Sequence, residues 1–408
     1  MRESAGSPKK YPFIVNPSEP ETLAREMSAI DVSDDGVDIM CDKADSLAIK
    51  VPALKAPAAS ILKQQMLSLG GDAAISRSVL TNSSTITDVL LLGSASQFTR
   101  LIASLERQQF KLPALAEELG ILIANYHKRP GVFVAREKHV DLTSRTAIMG
   151  VLNVTPDSFS DGGKFFDQKS AVDRAVQMQE QGADIIDIGA ESTRPGAEPV
   201  TAEEELARLL PVIGALKGTL HAMISVDTYK SEVAEAVLDA GADIINDISG
   251  LRFDRRIARL VAERKAGIVL MHIQGTPRNM QNSPFYRDLI GEVYASLAGS
   301  LDIAVDAGVD TASIAVDPGI GFGKTCEHNL RLINSLRTFS GLGVPVLLGT
   351  SRKSFIGQIL GKGVEQRVMG SAASVAIGIM RGAKIVRVHD VAHIKDVCNI
   401  ADAIARAT

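Results

Sequence analysis

The stretch AMISVDTYKSEVAEAVLDAGADIINDISG (222–250) decides the fold class. It opens on a short apolar run that ends at Asp227. An amphipathic run, KSEVAEAVLDAGA (230–242), follows and stops on a glycine, as helices commonly do. A second apolar run, ADIINDIS (242–249), closes the stretch. Neither apolar run alternates polar with apolar residues through its centre, so both read as parallel strands buried on two faces.

The same unit repeats outward in both directions. Strand patterns stand at 147–154, 183–190, 222–228, 242–249, 266–272, 312–319, 344–351 and 383–390. Helix patterns lie between them. One covers 170–183, and another, 201–217, opens on Thr201 with Glu204 three residues on, a capping-box signature. Eight βα units between residues 146 and 408 fit the usual size of a (β/α)8 TIM barrel. A doubly wound open sheet remains the alternative, because alternation alone does not close a sheet.

Residues 1–145 read differently. Strand patterns at 36–40, 46–51 and 88–94 and helix patterns at 57–70, 96–110 and 112–127 suffice for a small α/β domain. The stretch 128–145 reads as a charged connection with one short strand, VFVA. The expected division is therefore an N-terminal α/β domain of unknown role, 1–140, and a barrel, 141–408.

Composition excludes several classes. Of 408 residues, 45% are apolar and 23% charged, which is ordinary for a globular chain and unlike a disordered one. A net charge of −4 provides no basic field for nucleic acid or an anionic membrane. Tryptophan is absent, which counts against base-stacking platforms. Cys41, Cys326 and Cys398 are widely spaced with no CxxC pair, as in a reduced compartment. The N-terminal residues lack a secretory apolar core, and no run of about 18 apolar residues occurs to span a bilayer. The expected location is cytoplasmic.

In a parallel barrel the active site forms at the C-terminal strand ends. Polar residues occupy every one of them: Asn153, Glu191, Asp227, Asn246 with Asp247, His272, Asp317, Arg352 with Lys353 and Ser354, and Arg387 with His389. One polar strand end is ordinarily a turn or cap; eight together are hard to attribute to capping. Asp227, Asn246, Asp317 and Lys353 could read the edge of a hydrogen-bonding heterocycle. Asn153, Arg387 and His389 suit anion and metal–diphosphate contacts. Other motifs carry less. PGIGFGKT (318–325) resembles a phosphate-binding P-loop, but Pro318 stands where that pattern needs glycine. HDVAH (389–393) resembles a zinc motif, yet its first histidine closes a strand.

The ordered motifs MGVLNVTPDSFSDGG (149–163), GAESTRPGA, SVDT, NDISG, MHIQGTPRNMQ, DPGIGFGK, GTSRKS and RVHDV resemble the dihydropteroate synthase family of folate biosynthesis. The resemblance covers residues 146–408. Ala190 stands where many members have glycine. It implies a transferase that condenses 6-hydroxymethyl-7,8-dihydropterin diphosphate with 4-aminobenzoate, giving 7,8-dihydropteroate and diphosphate. It further implies that Asp227, Asn246, Asp317 and Lys353 bind the pterin, that Ile248 and Met271 line its slot, and that Arg387 stacks on the ring. Arg387 and His389 would hold the diphosphate, and Asn153 would contact Mg²⁺. Asp161 and the loop Thr193, Arg194, Pro195 would close over the site. Phe322, Lys353 and Ser354 would form the aminobenzoate pocket. Asp161, Arg194 and Lys353 are the implied catalytic residues. A homodimer and sensitivity to sulfonamides are implied too. Two other readings remain: a methyltetrahydrofolate:corrinoid methyltransferase, which needs no diphosphate clamp, and a catalytically silent pterin-binding subunit.

Overall fold

A computed structural model describes residues 20–81, 86–155, 168–191 and 200–407. The chain divides into two units, residues 1–123 with 408, and residues 124–407.

In the first unit, helices α1 (Pro20–Ala29) and α2 (Asp34–Ala44) precede strand β1 (Ser46–Lys55). Helix α3 (Ala56–Ser68), strands β2 (Asp72–Ile75) and β3 (Ile86–Ser94), and helices α4 (Ala95–Leu105) and α5 (Leu112–His127) follow. The strands form an antiparallel sheet in the order β1-β3-β2. Its core joins alternate strand residues, Ile49, Val51, Val89 and Leu91, to helix residues such as Leu62, Met66, Phe98 and Leu101. Ser94 and Gln97 form a reciprocal capping box that starts α4.

One expectation fails here. GVDIM (36–40) is the middle of α2 and not a strand. Ser33 caps the helix through Gly36 N, and Asp34 and Asp35 sit in its first turn, where the helix dipole favours acid. Those flanking signals outweigh the short apolar pattern. The sequence pattern does not predict strand β2 either.

The second unit begins with strands β4 (Val132–Ala135) and β5 (Lys138–Asp141), which pair as an antiparallel hairpin. The eight strands β6 (Ala147–Asn153), β7 (Ile185–Gly189), β8 (Met223–Asp227), β9 (Ile244–Asp247), β10 (Gly267–Met271), β11 (Ile314–Asp317), β12 (Val346–Leu348) and β13 (Ala383–Val388) come next. All pair in parallel, in chain order, and β13 pairs back onto β6, so the sheet is a closed barrel. This excludes the open sheet. Around it run α6 (Gln168–Glu180), α7 (Ala202–Leu216), α8 (Ser231–Ala240), α9 (Arg256–Glu263), α10 (Leu289–Asp306), α11 (Cys326–Asn334), α12 (Ser354–Leu360), α13 (Val368–Met380) and α14 (Val391–Arg406).

The hairpin belongs to the barrel unit, although the expected boundary at 140 assigns it to the N-terminal domain. Phe133, Ala135, Val140 and Leu142 form one buried cluster with an inward residue from every barrel strand, including Met149, Ile185, Met223 and Ile385. The hairpin thus closes the N-terminal end of the barrel. Gly267 makes room for it: a Cβ there would lie 3.0 Å from the Phe133 ring and 3.1 Å from Ala135. Lys138 Nζ adds a polar tie, donating to Asp243 at 2.9 Å and to Ala222 O at 3.1 Å.

Candidate active site

Alternate residues of each barrel strand point inward. The inward layer at the N-terminal end is apolar. Two residues further along, it turns polar: Asp187 follows Ile185, Ser225 follows Met223, Asn246 follows Ile244, Asp317 follows Ala315 and Arg387 follows Ile385. Such groups survive inside a barrel only by satisfying one another.

Asp187 is fully buried, and three donors converge on it. Ser225 Oγ lies 2.6 Å from Oδ1; Asn246 Nδ2 at 3.1 Å and Arg387 Nε at 2.6 Å reach Oδ2. Arg387 Nη2 also donates to Asp227 Oδ2 at 3.0 Å. Burial works against the charge of Arg387, but Asp187, Asp227 and Asp317 together hold its pKa above the ordinary value. The Asp227 carboxyl is pushed up to about 7 by burial, with Asp187, Glu205 and Glu191 adding to the rise and Arg387 opposing it.

Across the barrel, Lys353 Nζ donates to the Ile320 carbonyl and lies 4.8 Å from the centre of the Phe322 ring. Burial pulls its ammonium down to about 8, against the attraction of Asp317. Asp317, raised by its own burial, accepts from Gly319 N at 2.7 Å. A Cβ at Gly349 would sit 3.7 Å from Lys353 Nζ, 3.8 Å from Asp317 Oδ2 and 3.8 Å from Arg387 Cβ. The missing side chain therefore leaves three charged residues around one space. At the same end, Ile248, Met271, Ile273 and Met280 form a small apolar cluster with Phe322 and Tyr229 against it.

Asn153 ends β6. A Cβ at Gly189 would lie 3.6 Å from Asn153 Oδ1 and 3.8 Å from Asp227 Cβ, so both residues border the gap left by that glycine. His389 Nδ1 lies 3.0 Å from Ser351 Oγ. Burial, then Arg387 and Arg352, pulls the imidazole down to about 4, so at neutral pH it is an uncharged hydrogen-bonding group. Ser354 is exposed as the first residue of α12. Asp161, Thr193, Arg194 and Pro195 lie outside the described residues.

Several strand-end residues have local roles. Asp247 is fully buried and accepts from Ser249 N and Leu251 N, closing the turn after β9. Glu191 accepts from Lys230 at 2.6 Å and from Tyr229 Oη at 2.9 Å. The P-loop-like lysine, Lys324, is buried and turned inward. Its Nζ lies 2.9 Å from His272 Nδ1 and donates to Phe322 O at 3.0 Å.

The sequence reading missed Asp187 and Ser225. A lone carboxylate inside the apolar run IIDIG was the available signal.

A closed (β/α)8 barrel with carboxylates, an amide, a lysine and an arginine gathered at its C-terminal strand ends, where a small apolar cluster also lies, defines the class of (β/α)8 barrel enzymes. The family described as pterin binding enzyme matches residues 149–389. Within that class the chain belongs to the dihydropteroate synthase family. It is 49% identical over 267 residues to the dihydropteroate synthase of Synechocystis, covering 65% of this chain and 92% of that protein. The Xanthomonas albilineans dihydropteroate synthase in complex with 7,8-dihydropteroate superposes with a TM-score of 0.60 at 39% identity, covering 67% of this chain and 98% of that one. A Haloferax volcanii protein named as a probable bifunctional folylpolyglutamate synthase/dihydropteroate synthase is 40% identical over 352 residues, covering 84% of this chain and 41% of that protein. The reaction is the condensation of 6-hydroxymethyl-7,8-dihydropterin diphosphate with 4-aminobenzoate to 7,8-dihydropteroate and diphosphate, a transfer step of folate biosynthesis.

Proposed function

We propose that this condensation takes place at the C-terminal end of the barrel, over the space beside Gly349. The observation that carries the reading is the meeting of the Asp317 carboxyl, the Lys353 ammonium and the stem of Arg387 around that space, at the same end of the barrel as the apolar cluster of Ile248 and Met271. Asp227, Asp317 and Asn246 bind the donor edge of the pterin, and Lys353 binds an acceptor on it. The Arg387 guanidinium lies against the ring face and, with the neutral His389, holds the diphosphate. Phe322, Lys353 and Ser354 receive 4-aminobenzoate. By the family resemblance, the task of keeping water from the reacting carbon falls to Asp161, Thr193, Arg194 and Pro195.

Among the described residues, no three His, Cys, Asp or Glu side chains gather to hold a metal. Mg²⁺ does not require such a cage, because it keeps waters and takes substrate phosphate oxygens. The carbonyl oxygen of Asn153 beside the Gly189 gap fits that mode. When bound, Mg²⁺ neutralises charge on the departing diphosphate. The bond between the exocyclic methylene and the diphosphate oxygen breaks, and its electrons leave with diphosphate. The amine of 4-aminobenzoate bonds to that carbon and then releases a proton. By the family resemblance, Asp161 would stabilise positive charge developing on the methylene.

Incubation with both substrates and Mg²⁺ is expected to release diphosphate only when all three are present. Correctly folded protein that releases none would overturn the assignment. A sulfonamide, which mimics 4-aminobenzoate, is expected to compete with it in the same assay.

We also propose a homodimer. Large apolar side chains stand exposed on α12 to α14: Ile359, Met369, Ile377, Met380, Ile400 and Ile404. A patch of that kind marks an association surface, and a twofold pair of barrels would cover it. Ile377→Glu is expected to shift the sedimentation coefficient from dimer to monomer.

A further inference from the structure

We propose that Asp187 is a positioning residue for pterin recognition, setting which way the Asn246 amide faces and holding Arg387 in place. The inference rests on the reading that Asn246 and Arg387 bind the pterin.

An amide has a donor end and an acceptor end, and its neighbours decide which end faces a ligand. Asp187 is fully buried in the middle of β7, in direct contact with Asn246 and Arg387 of the same polar layer. Asp187 Oδ2 also takes the N–H of Arg387 Nε, a group that can only donate, so this oxygen is an acceptor. The group of Asn246 that faces it at 3.1 Å must therefore be the amino end, Nδ2. The side-chain Oδ1 of Asn246 takes no hydrogen bond from the described residues, and it is not among their fully buried, unpartnered atoms. It is thus left as a free acceptor. Without Asp187 the amide could turn over and present a donor instead.

The same carboxylate fixes Arg387. Its Nε contact at 2.6 Å and the Nη2 contact to Asp227 at 3.0 Å anchor two sides of one planar guanidinium. With two edges held, the plane cannot swing. Ser225 Oγ, at 2.6 Å, occupies the other oxygen of Asp187 and keeps the carboxylate from rotating. One residue with no route to substrate thereby aligns two groups on β9 and β13 that face it. Selectivity for a heterocycle edge depends on such alignment, since a buried polar group facing the wrong way costs far more than a missing contact.

The experiment is a double-mutant cycle on the full chain: Asp187→Asn, Asn246→Ala and the two combined. The readouts are the dissociation constant for the pterin diphosphate and the Michaelis constant for the amine substrate, 4-aminobenzoate. Asp187→Asn is expected to weaken pterin binding by about tenfold or more, the scale of a charged hydrogen bond. The Michaelis constant for the amine should stay within about twofold, well below that scale. The double variant should lose clearly less than the product of the single losses. Additive losses, or unchanged pterin affinity in Asp187→Asn beside a weakened Asn246→Ala, would overturn the role of Asp187. Unchanged affinity in Asn246→Ala would instead remove Asn246 from the pterin site. Should Asp187→Asn fail to fold, Ser225→Ala, which frees the carboxylate on one side, should weaken the pterin and not 4-aminobenzoate. Equal effects on both substrates would count against the inference.

Discussion

Burial pushes the Asp227 carboxyl up to about 7 and pulls the Lys353 ammonium down to about 8. The charged groups facing Asp227 are Arg387, Asp187, Glu205 and Glu191, and Lys353 also feels it. The two shifts have opposite consequences for folding. Asp227 contributes stability that is present at low pH and lost as pH rises through about 7. Lys353 imposes a cost that is full below about 8 and relieved as pH climbs toward the ordinary lysine value of 10.5. For substrate binding, both groups act in their charged forms. Affinity for the pterin diphosphate is therefore expected to rise through about pH 7 and fall above about pH 8. Calorimetric titration across that range reads the window. Lys353→Ala should weaken the pterin by about tenfold or more, the scale of a charged hydrogen bond, and should remove the alkaline fall. A fall that persists in that variant would belong to another group. Asp227, Asn246, Asp317, Lys353 and Arg387 were readable in the sequence because each sits at or near the end of an apolar run. Asp187 was not, because it sits mid-strand, where only the inward or outward parity of a closed barrel tells a hub from a misplaced charge.

The barrel strands stand out in the sequence because burial on both faces makes them continuous apolar runs, a strong and local signal. The hairpin does not stand out. Strand β5 is four residues, KHVD, with charge at both ends and only Val140 turned inward. Its partner β4 is recognisable from VFVA, yet nothing local says that it plugs a barrel. That information is held by the pairing of Phe133 with Val140 and by Gly267 more than a hundred residues away. The α2 segment failed for a related reason. Five apolar-rich residues fit either period, and the cap at Ser33 decided. Since Phe133 is fully buried among the inward residues of the barrel, Phe133→Ala is expected to cost about 3–5 kcal/mol, the usual range for an aromatic core deletion. Urea denaturation measures the loss. The site lies at the other end of the barrel, so variant protein that remains folded should bind both substrates as the parent chain does. A loss of stability under about 1 kcal/mol would mean that the hairpin is not a plug, because that is below any well-packed core deletion.

The sequence alone places the division near residue 140; the two units meet instead at residues 123 and 124. The difference matters for asking what the N-terminal unit is for. A chain starting at 141 loses Phe133, Ala135 and Val140 from the buried cluster and Lys138 from Asp243. That leaves apolar strand residues open at the N-terminal end and a buried carboxylate without its lysine partner. A chain starting at 124 keeps all of them and every site residue. The match to the Haloferax volcanii protein spans more of this chain than the barrel unit alone can supply, so part of the N-terminal unit accompanies a dihydropteroate synthase barrel there too. A chain of residues 124–408 is expected to unfold cooperatively on heating and to condense both substrates with a kcat within about tenfold of the full chain, a change of about 1.4 kcal/mol in barrier. Residues 141–408 should unfold at lower temperature or aggregate. Differential scanning calorimetry and the diphosphate-release assay read the two quantities separately. Equal stability in both truncations would remove the hairpin from the barrel's core. A folded but inactive 124–408 chain would show that the N-terminal unit contributes to the reaction itself, because the barrel then has its pocket residues and its core and still lacks something that only residues 1–123 supply.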